Sequence, residues 1–140
     1  MIVNEDMIID AFPGYNELEL ANFRINYLSD FVDLTVIAEA RLTQSGLEKP
    51  LYFTKWLSEQ NSIVKEKVRV IEVPLILSST SWEREIYTRE YLFRFIQENF
   101  PDAKFILSDL DEIPSRNQVE KLKEMNGIFH FHTPTFYRKI

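Results

Sequence analysis

The residues best equipped for chemistry lie in one run, Ser-Asp-Leu-Asp-Glu-Ile-Pro at positions 108–114. It follows Phe105, Ile106 and Leu107, an apolar stretch that reads as a buried strand. In extended chain, residues two apart point the same way, so Asp109 and Asp111 can face one spot while Leu110 turns back to the core. Carboxylates brought together repel unless positive charge stands between them. A hard divalent cation such as Mg²⁺ or Mn²⁺ suits oxygen donors and keeps positions open for phosphate oxygens. It would also offset the charge that grows on a leaving nucleoside diphosphate. The same run equally reads as a solvated acidic turn before a helix, whose N-terminus favours negative charge.

Other residues carry two readings each. His130 and His132 share one face of an alternating stretch; they either complete a metal site begun by Asp109 and Asp111 or sit half-buried beside aromatics. Arg89 falls on the apolar stripe of a long helix, where it needs an anion, either a carboxylate or a substrate phosphate. Glu85 with Arg89, and Glu90 with Arg94, are i,i+4 pairs suited to surface ion pairing. Glu39 ends a strand, where it either accepts hydrogen bonds from a base or sugar or pairs with Arg24 or Arg41. Trp82, Tyr87 and Tyr91 either stack on a ligand or pack in the core. The polar loop 41–49, with Thr43, Ser45 and Gly46, is expected to move and to be able to cover a ligand.

These residues need a frame. Residues 7–12 are a short apolar run ended by Pro13-Gly14, a buried strand and a turn. Asn16 with Glu19 predicts a capping box for a helix whose Leu18, Ala21, Ile25 and Leu28 share a face. Thr35 to Ala38 predicts a second strand starting near Asp33, and Val68 to Val73 a third, ended by Pro74. Residues 51–58 read as either a strand end or a short helix. Trp82, Ile86, Arg89, Phe93, Ile96 and Phe100 recur at alternating spacings of four and three, the stripe of a long helix stopped before Pro101. Ser115 with Gln118 predicts a second capping box, for a helix carrying Val119, Leu122 and Met125 and closed by Asn126-Gly127. Residues 128–133 alternate as a fifth strand. Strands and helices in turn predict one α/β domain over residues 1–140 with a mostly parallel sheet, whose ligands bind beyond the carboxyl ends of the strands.

Composition narrows the function. The chain has 140 residues, 45% of them apolar and 27% charged, enough for one domain with a real core. The formal net charge of −6 argues against a protein that coats nucleic acid. Three glycines cannot build a phosphate-cradling glycine loop, and the absence of cysteine excludes disulfides, cysteine zinc sites and a catalytic thiol. No apolar run reaches membrane-spanning length and the acidic start is unlike a signal peptide, so a cytoplasmic location is expected.

Several stretches together resemble one family. Residues 10–20 (Asp-Ala-Phe-Pro-Gly-Tyr-Asn-Glu-Leu-Glu-Leu) are similar to the opening motif of glycosyltransferase family seventeen, the bisecting-type β-1,4-N-acetylglucosaminyltransferases, with Arg24 as the arginine of the following helix. Val36-Ile37-Ala38-Glu39-Ala40 resembles the family's second strand, Lys49-Pro50-Leu51-Tyr52-Phe53 its Lys-Pro-Leu-Tyr-Phe segment, and Trp82, Glu85 and Arg89 its tryptophan-to-arginine helix. Residues 108–115 match its Ser-Asp-x-Asp-Glu-Ile-Pro-Ser signature. The resemblance implies a Rossmann-like, A-type glycosyltransferase fold and a UDP-sugar donor, UDP-N-acetylglucosamine in the family's pattern. It implies Mn²⁺ or Mg²⁺ on Asp109 and Asp111, and a glycan acceptor. Asp10, Phe12, Glu17, Glu39 and Arg89 become substrate-binding candidates. Inversion at the anomeric carbon needs a carboxylate base, for which Glu112 is the candidate at hand. Family members continue past the matched segment, so a truncated form is expected, either an enzyme or a catalytically silent nucleotide-sugar-binding domain. Such a form would pair its exposed edge in a homo-oligomer. Asp109-Leu110-Asp111 also loosely resembles the nucleophile motif of haloacid dehalogenase-type phosphatases, but that motif belongs near an N-terminus, with later acids and a lysine.

Overall fold

Four apolar stretches form one parallel sheet in the computed structural model, which describes residues 7–43, 45–74 and 80–125. The strands are β1 (Ile8–Pro13), β2 (Leu34–Glu39), β3 (Val68–Glu72) and β4 (Lys104–Leu107). They lie in the order β3-β2-β1-β4, all parallel, with Ile9 opposite both Leu34 and Phe105. Helices supply the crossovers: α1 (Leu18–Leu28), α2 (Tyr52–Ser58), α3 (Ser62–Lys67), α4 (Ser81–Asn99) and, after β4, α5 (Arg116–Leu122). The predicted α/β class is therefore present. No helix among the described residues is long and apolar enough to cross a membrane.

Burial follows strand parity. Ile9, Ala11, Val36 and Ala38 pack on one face against Leu92 and Ile96 of α4. On the other face Ile8 meets Leu28 of α1 and Val119 of α5, while Phe12 and Ile37 meet Ala21 of α1 and Phe53 of α2. Asp10 shares the parity of Ile8 and Phe12, so its carboxylate must enter this second core. Glu39 shares the parity of Ile37, with the same consequence.

Several boundaries differ from expectation. The ambiguous residues 51–58 form α2, and α3, capped by the Asn61 side chain on the Val64 amide, adds a helix that the sequence did not signal. The Asn16–Glu19 capping box does not form. Glu17 is the N-cap residue, and its carboxylate turns back to accept the amides of Tyr15 and Asn16. The Ser115–Gln118 box is present, and a further one, Thr80–Glu83, starts α4. Helix α4 buries Thr88, Leu92 and Ile96, whereas Trp82 is 69% exposed and Ile86 and Phe93 are also exposed. The periodicity was right and its phase was not, because Thr88 satisfies its hydroxyl on the Arg84 carbonyl and packs as an apolar residue. The predicted fifth strand at 128–133, with His130 and His132, lies outside the described residues.

Beyond β1, Gly14 has no room for a side chain. A Cβ there would meet the Phe53 ring at 2.6 and 2.9 Å and Ile37 at 3.0 Å. Gly14→Ala is expected to destabilise the fold by about 1–3 kcal/mol, because the fully buried Phe53 cannot yield. The urea midpoint should fall with its slope unchanged; an unaltered midpoint would contradict this packing.

Candidate functional site

The order of the strands locates the site. The chain builds outward from β1 through β2 to β3, then α4 carries it back to place β4 on the opposite side of β1. The carboxyl ends of β1 and β4 thus flank the point where strand order reverses, where parallel sheets open a crevice for ligands. Residues 108–112 leave β4 at that point.

A buried arginine organises them. Arg24 of α1 is fully buried and forks onto Asp10 of β1, Nε to Oδ2 at 2.9 Å and Nη2 to Oδ1 at 2.6 Å. Its remaining protons go to the turn after β4. Nη2 donates to Ser108 Oγ at 2.7 Å, and Nη1 donates to the carbonyls of Asp109 at 2.7 Å, Leu110 at 3.2 Å and Glu112 at 3.4 Å. The guanidinium also lies 4.6 Å from the centre of the Phe12 ring. A planar fork with many donors can tie three segments together in this way; a lysine cannot. The Glu112 carboxylate closes the turn by accepting the Asp109 amide at 3.0 Å, and Leu110 and Ile113 are buried beneath it.

The two aspartates stand differently on this turn. Asp109 is 40% exposed and takes an ion pair from Arg89 of α4. Asp111 is partly buried, and its carboxylate has no hydrogen-bond or ion-pair partner among the described residues. No group of three His, Asp or Glu side chains converges among the described residues. The chain turns here, with the Glu112 amide on the Asp109 carbonyl at 3.0 Å, so the extended alternation expected of Asp109 and Asp111 is absent; their carboxylates are nonetheless oxygen donors of the kind that a hard cation such as Mn²⁺ or Mg²⁺ takes. These ions often take few protein ligands and complete their shell with phosphate oxygens and water.

The other candidates separate into support and wall. Asp10 and Phe12 are fully buried under the turn, so the structure places them beneath the site. Glu39 pairs with neither Arg24 nor Arg41; Arg41 pairs instead with Glu72 at 3.1 Å. The Glu39 carboxylate, 1% exposed, accepts the Phe53 and Thr54 amides and the Thr54 hydroxyl, fixing the start of α2. Its counter-charge is Lys49, with Nζ 3.5 Å away. Burial lowers the Lys49 pKa, while Glu39 and then Glu17 oppose the shift. Arg89 meets the carboxylate alternative of its two expected anions. Beyond β1–β3 a cleft is floored by Gly14, Ala38 and Val73 and walled by Tyr15, Arg84 and Tyr87. Tyr15 lies within the resembling run 10–20 and Arg84 within the stretch from Trp82 to Arg89, but sequence reading singled out neither as a candidate site residue. It also passed over Lys49 as a charge partner, although parity put Glu39 in the core and required one.

Two expectations follow from this network. Arg24→Met leaves Asp10 buried without its counter-ion and should cost about 3–5 kcal/mol of folding stability by denaturant titration. Arg24→Lys should rescue little of that loss, and full rescue would contradict the fork. For Lys49, the folded protein binds its proton less well than the unfolded chain does. Its contribution to stability should therefore rise as pH increases through the lowered pKa towards 10.5, where the unfolded side chain also deprotonates. The difference between wild type and Lys49→Met in urea midpoint should change over that interval, and a constant difference would contradict the burial.

Comparison with known proteins agrees with the geometry. The profile of Glycosyltransferase family 17 matches residues 2–134. The human beta-1,4-mannosyl-glycoprotein 4-beta-N-acetylglucosaminyltransferase is 30% identical over 136 residues, covering 89% of this chain and 26% of that protein. The rat protein of the same name is 30% identical, with 89% of this chain and 25% of that protein covered. The chain thus spans about a quarter of the length of the curated relatives it matches. No solved structure matches it. A family profile covering nearly the whole chain, with the family's signature at the switch point of a parallel sheet, establishes that the chain belongs to glycosyltransferase family 17.

Proposed function

We propose that the chain binds a UDP-sugar, UDP-N-acetylglucosamine, together with Mn²⁺ or Mg²⁺, and presents the sugar for transfer to a glycan acceptor in an A-type glycosyltransferase arrangement. The observation that carries this reading is the acidic turn at the end of β4. Two carboxylates stand where ligands enter parallel sheets, and one of them has no partner among the described residues. The names of the curated relatives support the choice of sugar.

Each residue then has a task. Tyr15 and Tyr87 offer aromatic faces to the base within the cleft beyond β1–β3. Arg84, on the cleft wall, and Arg89, at the acidic turn, supply cationic donors for phosphate oxygens. Asp109 and Asp111 hold the divalent cation, which when bound neutralises charge on the departing diphosphate. Arg24 and Asp10 keep the turn from yielding when these charges assemble. Glu17, bound to the amides ahead of α1, and Glu39, bound to the start of α2, shape the rim. The Glu112 carboxylate is engaged by the Asp109 amide, so its first task is to close the turn, not to accept a proton from the acceptor hydroxyl.

Calorimetry tests the proposal. UDP should bind in the presence of Mn²⁺ and much more weakly after chelation. Asp111→Asn should weaken binding at least as much as the roughly tenfold typical of changes around a metal site, with unaltered thermal stability. UDP that fails to bind with Mn²⁺ present, or binds equally without it, would overturn both the donor and the metal assignments.

A further inference from the structure

The turn after β4 is held by two arginines of opposite character. Arg24 is fully buried and donates to Asp10, Ser108 and three backbone carbonyls, so it cannot leave without breaking the fold. Arg89 is 31% exposed, contacts Asp109 through one nitrogen, and approaches Glu85 no closer than 4.0 Å. An exposed ion pair of this kind is worth little in stability. Its guanidinium can swing while the Asp109 backbone stays fixed by Arg24 and by Glu112.

We infer that Arg89 is an exchangeable counter-ion, which holds Asp109 while no cation is bound and turns to a donor phosphate when Asp109 joins a cation. The inference rests on the donor reading above and goes beyond it by assigning to Arg89 the coupling between the two ligands. Arg89 opposes cation binding in two ways, by like charge and by covering Oδ1 of Asp109. Asp109 in turn keeps the guanidinium from a phosphate. Either ligand alone gains one member of this pair and leaves the other without its counter-charge. Arriving together, they replace it with two favourable contacts, the carboxylate on the cation and the guanidinium on the diphosphate. Cation and nucleotide therefore assist each other's binding, and thermodynamic linkage requires the assistance to be equal in both directions. Asp111, unpartnered among the described residues, needs no such release and gives the cation its first foothold.

The test is calorimetry of the full chain with Mn²⁺ alone, with UDP alone and with both, on wild type, Arg89→Gln and Arg89→Lys. In wild type, UDP should tighten Mn²⁺ binding by about tenfold or more, within the usual range of coupling between sites. Arg89→Gln should bind Mn²⁺ alone about tenfold more tightly than wild type, because Asp109 is freed. Its tightening by UDP should shrink. Arg89→Lys keeps the charge without the fork and should fall between the two. Arg89→Gln binding Mn²⁺ no more tightly than wild type would overturn the inference. Wild type that binds Mn²⁺ but not UDP would overturn the donor reading instead, and the Mn²⁺ measurement on Arg89→Gln would still decide the role of Arg89.

Discussion

The structure depends on one buried ion pair, Arg24 with Asp10. Each charge has left water completely, and each is repaid only by the geometry of the other and by the carbonyls around them. Removing one partner strands the other inside the second core. The pair also fixes position. Asp10 belongs to the central strand, Arg24 to the helix that follows it, and the carbonyls that complete the guanidinium belong to the turn after β4. A segment 85 residues beyond Arg24 in sequence is thereby locked to β1 at the strand-order reversal.

That lock divides the charged residues of the site into two groups. Asp10, Arg24 and Glu39 are buried and fully engaged, and they work by holding other groups. Asp109, Asp111 and Arg89 are partly exposed, and their side chains retain freedom to change partners. The proposed function, which gathers a dianionic diphosphate and a divalent cation, would benefit from this separation, because the working charges can rearrange while the backbone beneath them cannot. The same division accounts for a chain with few glycines. Under the proposed function no glycine-rich loop is needed, because the guanidiniums, and a cation held by the carboxylates, would meet the phosphates instead.

Much of the fold was legible in the sequence because short apolar runs and helical stripes are local signals. The four described strands, the long helix and the Ser115–Gln118 cap all followed from such patterns. What was hidden depended on partners distant in sequence. Asp10 and Glu39 belong to motifs that point to ligand binding. Only strand parity, combined with the positions of α1 and α2, shows that their carboxylates turn into the core and find Arg24, the α2 amides and Lys49. The exposed Trp82 illustrates the reverse error. Its spacing with Ile96 is helical, but the face that packs on the sheet is set one position away by Thr88 and Leu92. The acidic turn was read from its own residues, since adjacent positions and a preceding buried strand define it locally. Its immobilisation by Arg24 was not, because eighty-odd residues of chain intervene.

The most direct measurement of where the cation and nucleotide meet is paramagnetic broadening of backbone amide signals by substoichiometric Mn²⁺ in the presence of UDP. The expected result is broadening centred on residues 109–112, extending to Gly14 across the crevice and sparing the far ends of the strands. Broadening centred elsewhere, or none at all, would contradict the placement of the site at the Arg24-held turn.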